Sequence, residues 1–297
     1  MLRVLIRSGR LRDVVPGPES GRAPRWAAAT MADVSNHVRS ERLRAIGRET
    51  VAIVERGGYR DVVIADLVAR AVAGTRLHQP EEPLGPGRPG AMAVEVTDES
   101  TLAAARRLGG DVAALVFASA RKPGGGFLNG AQAQEESVAR SSALYPCLRA
   151  AGEFYDYHRA HAELTYSDRV IYSPRVPVIR DDRGALLDDP YLVSFLTAAA
   201  PNRAAMAGDQ PRRLAEVPEV LARRARRILA VAAAHGHRRL VLGAWGCGVF
   251  GNAPADVADM FAGALAECPW FDQVTFAVLD RSAGTPTLTA FSTLATA

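Results

Sequence analysis

The stretch at residues 111–119, DVAALVFAS, is apolar almost without interruption. A strand with one wet face alternates apolar and polar residues, so a continuous run marks a strand covered on both faces. Such a strand requires a layered fold with helices above and below a sheet. The flanking pattern agrees. Residues 91–96 read as a strand, 100–108 as a helix, 239–245 as a strand, 255–267 as a helix and 273–279 as a strand. Strands alternating with helices predict an α/β domain of three layers around a mixed, mostly parallel central sheet. No internal repeat or second domain is read.

The remaining segments complete this frame. Residues 34–57 have helical periodicity and stop at Gly57-Gly58. Residues 61–70 are apolar but of unassigned type, and 78–90 are a Pro/Gly loop. Residues 135–149 and 151–163 read as helices, and 169–172 and 176–179 as short strands broken by Ser173-Pro174. Residues 191–199 read as a strand, 217–234 as a long Arg-rich helix, and 286–297 as a closing helix.

Two glycine-rich loops each follow a buried strand. The first, RKPGGGFLNGAQAQEESVARSS, sets Gly124, Gly125 and Gly126 seven residues ahead of Gln134, Glu135 and Glu136 at a helix start. Glycines costly in backbone entropy, beside adjacent carboxylates, indicate a backbone that approaches a ligand next to an acid group. The second, GCGVFGN, matches G-x-G-x-x-G between a strand and a helix, with Asn252 expected as N-cap and Pro254 in the first turn. Such a junction aims free N–H groups and a helix dipole at an anion, usually phosphate. The acidic residue after the next strand, Asp280, lies 29 residues past Gly251, too far for a dinucleotide fingerprint. Ligands of open α/β sheets sit outside the carboxyl ends of strands. If the two strands are neighbours, both loops line one cleft, fitting a ligand with a diphosphate near a bond that needs acid catalysis.

The net charge of +4 is confined to residues 1–30, where six arginines face Asp13 and Glu19; the rest of the 297 residues balance at 30 basic and 30 acidic. The basic pI is therefore no argument for nucleic-acid binding. Residues 1–30 are expected to be a disordered extension, or to precede a true start at Met31. No apolar run reaches the length of a membrane span. The three cysteines, Cys147, Cys247 and Cys268, form neither a disulfide framework nor a zinc pattern, which points to a reducing cytoplasm. Lys122 is the only lysine, a usage that resembles a GC-rich bacterial genome.

The triplet, the spacing to Gln134-Glu135-Glu136 and the flanks together resemble the signature of poly(ADP-ribose) glycohydrolases of the compact bacterial type. GAWGCGVFGN resembles the diphosphate loop of the macrodomain fold those enzymes share, and the similarity runs loosely from about Val34 onward. The resemblance implies a single macrodomain over residues 31–297 with an N-terminal helical extension. It implies hydrolysis of ribose–ribose O-glycosidic bonds in poly(ADP-ribose), with ADP-ribose as product and no cofactor. Glu136 would be the catalytic acid and Glu135 would orient the terminal ribose. Gly124, Gly125, Gly126 and Gln134 would lie against the ligand, and Asn129 would contact a ribose hydroxyl. Gly246, Cys247, Gly248, Val249, Phe250, Gly251 and Asn252 would hold the diphosphate and bend the ribose toward Glu136. Partners would be the polymer or an ADP-ribosylated protein, with no membrane or specific nucleic acid, and the chain a monomer. Hydrolysis of another ADP-ribosyl linkage, or binding without cleavage, are the rival readings.

Glycoside cleavage usually employs two carboxylates on opposite sides of the bond. Sequential glutamates should not face each other across a substrate, so one glutamate must perform both proton transfers. Other candidates carry less. His158 and His161 are spaced as a metal pair but read as a solvated helix face without a third ligand. His235 and His237 suit a helix end. Cys247 reads as a small turn residue rather than a nucleophile. Asp181, Asp182, Asp188 and Asp189 read as turn residues around Gly184, and Arg223, Arg224, Arg226 and Arg227 as a solvated face.

Overall fold

The structure, a computed structural model, describes residues 31–295; the expectation for residues 1–30 lies outside them. The chain divides into two units, Met1–Val38 and Arg39–Ala297. The described part of the first is the opening of helix α1 (Met31–Arg56). A small hairpin follows, β1 (Gly58–Tyr59) and β2 (Val62–Val63), then α2 (Ala65–Gly74) and β3 (Arg76–His78). Next come β4 (Ala93–Thr97), α3 (Thr101–Leu108), β5 (Val112–Phe117), α4 (Gln134–Ser141), α5 (Leu144–Ala150) and α6 (Gly152–Ala160). The long strands β6 (Val170–Arg180) and β7 (Leu186–Ala198) form a hairpin. They are followed by α7 (Arg203–Asp209), α8 (Val217–Ala234), β8 (Arg239–Leu242), α9 (Pro254–Glu267), β9 (Gln273–Ala277) and α10 (Pro286–Phe291).

Seven strands make one sheet in the order β3-β6-β7-β5-β8-β9-β4. The β3–β6 and β6–β7 pairs are antiparallel, and the four others are parallel. This is the mixed, mostly parallel sheet the alternation predicts. β5 lies at its centre, and its pleat divides the core. Ala113 and Leu115 join one cluster with Leu221, Ile228 and Phe261 of α8 and α9. Val112, Ala114 and Val116 join the other with Val138, Leu148 and Phe154 of α4, α5 and α6. Both sides of the strand are therefore dry, which is why its sequence has no polar alternation.

Several segments depart from the expected pattern for local reasons. The helix expected over 135–149 is two helices. Pro146 can neither donate to the carbonyl of Ser142 nor tolerate it in a helical position, and Ser142 instead bridges to Val178 of β6. The two short strands expected around Ser173-Pro174 are one strand with a bulge. The register shifts between Ser173 and Val176, Arg175 takes a φ of 44°, and its N–H donates to Ser194 Oγ at 3.0 Å. A proline has no donor for the ladder, so it is housed where the ladder is interrupted. Arg224 is not on a solvated face. Its side chain is fully buried and pairs with Asp168 at 2.9 Å, while Nη1 donates to Ala199 O. Burial pulls its guanidinium down to about 10 against the attraction of Asp168. Asp181 does form the turn at Gly184, accepting from Arg183 and Ala185 N–H, but Asp188 and Asp189 belong to β7.

Helix α1 is tied to α4 and β6 through Thr50. Its hydroxyl donates to Arg140 O at 2.6 Å, one turn beyond Glu136 on α4, and accepts from Arg180 Nε at 2.9 Å. Arg180 also pairs with Glu49 at 2.7 Å. Among the described residues no helix is long and apolar enough to cross a membrane.

Candidate active site

β5 and β8 are adjacent and parallel, with Ala114 opposite Val241, so the loops leaving their carboxyl ends emerge side by side. Between them lies a cleft of about 640 Å³, lined among others by Ser119, Glu135, Glu136, Gly246, Gly248 and Phe250. The adjacency posed as a condition by the sequence is thus met.

The first wall is the start of α4. Gln134 fastens it to the strand below. Its Oε1 accepts from Phe117 N–H at 2.9 Å, and its Nε2 donates to Leu115 O and Thr101 Oγ1. Gln134 lines the cleft, but its amide is engaged by the chain, so its visible work is to aim the two residues that follow. Glu135 Oε2 accepts from Ser119 N–H at 2.6 Å, and Glu136 Oε1 accepts from Gly126 N–H at 2.9 Å. The other oxygen of each, Glu135 Oε1 and Glu136 Oε2, is buried with no protein partner. The two carboxyls stand on one wall with Gly125 against both. A Cβ on Gly125 would lie 2.3 Å from Glu136 Oε1 and 2.9 Å from Glu135 Oε2, and its φ of 60° is itself unfavourable to side chains. Burial holds the Glu135 carboxyl well above the usual carboxylate range; the Ser119 N–H and, more weakly, the Gly124 N–H oppose this, and the neighbouring Glu136 adds to it.

The second wall is the turn after β8. Gly246, at φ 75°, packs where a Cβ would meet Ala200 Cβ at 2.5 Å and Asn252 Nδ2 at 2.6 Å. Asn252 is not the N-cap of α9. That position is Ala253, and the Asn252 amide is buried beneath the turn, donating to Pro201 O at 2.9 Å and Gly246 O at 3.1 Å. It clamps the turn shut because its short amide reaches both carbonyls at once, adding to the Asn252 backbone N–H that also donates to Gly246 O at 3.1 Å. Gly248 is open: a Cβ there would meet nothing within 4 Å, and its φ is not left-handed. Val249 is 84% exposed at the tip. The Phe250 ring sits 6.1 Å from that of Tyr166. Burial pushes the Cys247 thiol up to about 12, which leaves it no thiolate to attack with at neutral pH.

Some expected residues stand apart from the cleft lining. Gly124, Gly125 and Gly126 lie behind the carboxyls, and Asn129 is exposed on the 3-10 turn Phe127–Asn129, whose tight winding carries it away from the cleft. Gly251 is exposed at the far side of the second turn. Asp280 does line the cleft, but its Oδ2 accepts from Thr287 N–H and so starts α10. His158 is buried rather than solvated. Ser167 N–H donates to its Nε2, so Nδ1 donates to Phe154 O at 2.7 Å, and burial depresses the ring to about 4. His235 ends α8, stacked on Tyr172 at 3.6 Å with its Nε2 2.9 Å from His78 Nε2. Among the described residues no group of three or more His, Cys, Asp or Glu is placed to hold a metal ion. Sequence reasoning overlooked Ser119, whose N–H fixes Glu135. Ser119 had one available signal, its position as the residue closing the central strand run.

Comparison with known proteins agrees with this geometry. The family described as microbial-type PARG, catalytic domain, matches residues 47–181. The poly(ADP-ribose) glycohydrolase of Thermomonospora curvata is 54% identical, with a TM-score of 0.80 over 86% of this chain and 99% of that one. The same enzyme bound to the inhibitor ADP-HPD gives 54% identity and a TM-score of 0.79 over 85% and 99%. The Deinococcus radiodurans enzyme in complex with ADP-ribose gives 47% identity and a TM-score of 0.70 over 75% and 95%. The comparison with curated proteins gives no match. With a macrodomain-like sheet, two glycine-rich loops around one cleft and relatives of this similarity, the chain belongs to the microbial-type poly(ADP-ribose) glycohydrolase family.

Proposed function

We propose that this protein hydrolyses the ribose–ribose O-glycosidic bonds of poly(ADP-ribose), releasing ADP-ribose, with Glu136 as the acid and base. The observation that supports this most is the pair of buried carboxyls held against Gly125 beside an open phosphate turn, each with one oxygen unpartnered. In this reading the diphosphate lies against Gly246, Gly248 and the N–H groups of the turn, between the two loops. Gly125 leaves room for both carboxyls to pack against the first loop, and Val249 and Phe250 press the terminal ribose toward Glu136. Protonated Glu136 gives its proton to the leaving ribose oxygen as the anomeric C–O bond breaks. The ligand's diphosphate offsets the positive charge of the oxocarbenium ion. Glu136 then takes a proton from water as the hydroxyl adds to the anomeric carbon, restoring the acid. Glu135, whose carboxyl burial raises, orients a ribose hydroxyl beside Glu136. This assignment resolves the difficulty of consecutive glutamates, since no opposing carboxylate is needed.

Free Cys147, Cys247 and Cys268 suit a reducing cytoplasm. The catalytic unit we assign begins after residue 30, and a chain lacking residues 1–30 should hydrolyse polymer like the parent; loss of turnover in a folded truncation would contradict that boundary. The deciding assay incubates the protein with labelled poly(ADP-ribose) and, separately, with mono-ADP-ribosylated protein. Free ADP-ribose from the polymer is expected. Release only from the mono-ADP-ribosylated protein would move the function to a different ADP-ribosyl linkage.

A further inference from the structure

The segment from α6 to the start of β6 carries a stack that the proposed reaction does not use. The guanidinium carbon of Arg169 lies 3.4 Å from the centre of the Tyr157 ring, and the His161 ring stacks on Tyr157 at 3.8 Å and 16°. A ring has two faces, so Tyr157 is sandwiched and His161 presents its outer face. His161 is exposed, and its Nδ1 lies 2.7 Å from Tyr157 O, which fixes the imidazole plane. Arg159, two residues before it, donates from Nη1 to Arg121 O at 2.8 Å, which brings the exposed Arg121-Lys122 pair to this segment. The segment has four acids: Asp156 is paired with Arg159 and Asp168 with Arg223 and Arg224, and Glu153 and Glu163 are the other two.

This ledge approaches the cleft at the second loop, where the Tyr166 ring packs 6.1 Å from that of Phe250; on the other side Arg159 holds the carbonyl of Arg121, three residues before the glycine triplet. β6 starts beside the end of β7, with Ile171 opposite Thr197, so the ledge sits at the same sheet end as the cleft. It lies on the β7–β6 side, whereas Glu99, Leu279 and Asp280 line the cleft on the β9–β4 side.

We propose that Tyr157, His161 and Arg169, flanked by Arg121, Lys122 and Arg159, form a second subsite for the adenosine diphosphate of the polymer unit next to the one being cleaved. The proposal rests on the polymer-hydrolase reading. A polymer whose terminal unit fills the cleft carries its next unit on the bond above Glu136, and that unit offers an adenine face and a diphosphate. A pre-stacked imidazole face accepts a base with little ordering cost, and the free arginine and lysine side chains match the two phosphates. A stack that only steadies the 161–169 loop would alter melting and leave ligand preference untouched.

The test uses the full chain carrying Glu136→Gln, so that nothing turns over, titrated calorimetrically with ADP-ribose and with a two-unit ADP-ribose oligomer. The oligomer should bind about tenfold more tightly. Adding His161→Ala and Arg169→Ala should abolish that preference, and adding Arg121→Glu and Lys122→Glu should weaken it, with the affinity for ADP-ribose unchanged in both. Equal affinity for the two ligands before the ledge is altered, or a preference that survives both pairs of substitutions, overturns the proposal. Failure of the hydrolase reading would be seen separately, as wild-type protein inert on polymer while the oligomer preference persists.

Discussion

Replacing Gly125 with alanine probes the contact on which the site is built. The new Cβ would stand 2.3 Å from Glu136 Oε1 and 2.9 Å from Glu135 Oε2, where ordinary contact begins at about 3.5 Å. Glu135 has nowhere to retreat, being 2% exposed with Oε2 held by Ser119 N–H. The Glu136 carboxyl must therefore shift by about 1 Å and give up the Gly126 N–H. An alanine at a left-handed φ costs about 1–2 kcal/mol, and the lost hydrogen bond about 1–3 kcal/mol. A total of about 3 kcal/mol corresponds to a fall of about 6–12 °C in melting temperature for a domain of this size. A displacement of about 1 Å in a catalytic group costs about 100-fold in rate. Single-turnover hydrolysis of end-labelled polymer, run well below the variant's melting temperature, measures the second effect apart from the first. A folded variant that cleaves within about threefold of the parent would refute the reasoning, because an effect of about 100-fold is expected if the carboxyl position matters.

Glu136→Gln should keep ADP-ribose affinity and lose polymer hydrolysis by about 10²–10⁴-fold; near-parental turnover in single-turnover assays would remove Glu136 from the chemistry. Gly248→Val meets no neighbour and no strained φ, so its melting curve should match the parent. Its ADP-ribose affinity should fall by about 10–100-fold through lost phosphate contacts, and unchanged calorimetric binding would place the phosphates elsewhere. Burial raises the folded Glu135 carboxyl above its ordinary value of 4.5, so the folded state holds a proton that the unfolded chain releases. That contribution is complete below pH 4.5 and is lost as pH rises through the folded value. Glu135→Gln should therefore melt progressively higher relative to the parent from pH 4 to pH 8, and a difference of the opposite slope in melting scans would contradict the assignment.

Much of the frame could be read from residue patterns because burial dictates them. The β5 run had to be apolar on both faces, and the two loops had to emerge together once β5 and β8 were neighbours. What escaped depends on contacts distant in sequence. Arg224 sits in an Arg-rich helix that looks wet, and only the approach of Asp168, 56 residues earlier, explains its burial. Asn252 has the residue type of an N-cap, yet the carbonyl of Pro201, 51 residues away, draws its amide under the turn. The break between α4 and α5 was present in the sequence as Pro146, but the helical pattern on either side masked it. β3 has three residues and no period to detect. The ledge at Tyr157, His161 and Arg169 joins a helix end to a loop, where no periodicity applies.

The two unpartnered oxygens, Glu135 Oε1 and Glu136 Oε2, bear on which sugars the site admits. A buried polar atom without a partner costs about 1–3 kcal/mol, and a ribose hydroxyl arriving at either one offsets that cost. A deoxyribose analogue of the same outline would fill the space and seal the polar atom away from water. Sites built to hydrogen-bond a hydroxyl reject the analogue lacking it by up to about 10⁴–10⁵-fold, far beyond what apolar pockets achieve by shape. Fidelity for ribose over its deoxy counterpart would then come from these two unpartnered polar atoms rather than from any side chain that excludes the wrong sugar. Comparing the affinities of ADP-ribose and an analogue deoxygenated on its terminal ribose would expose it, and equal affinities would mean that water reaches both oxygens in the bound state.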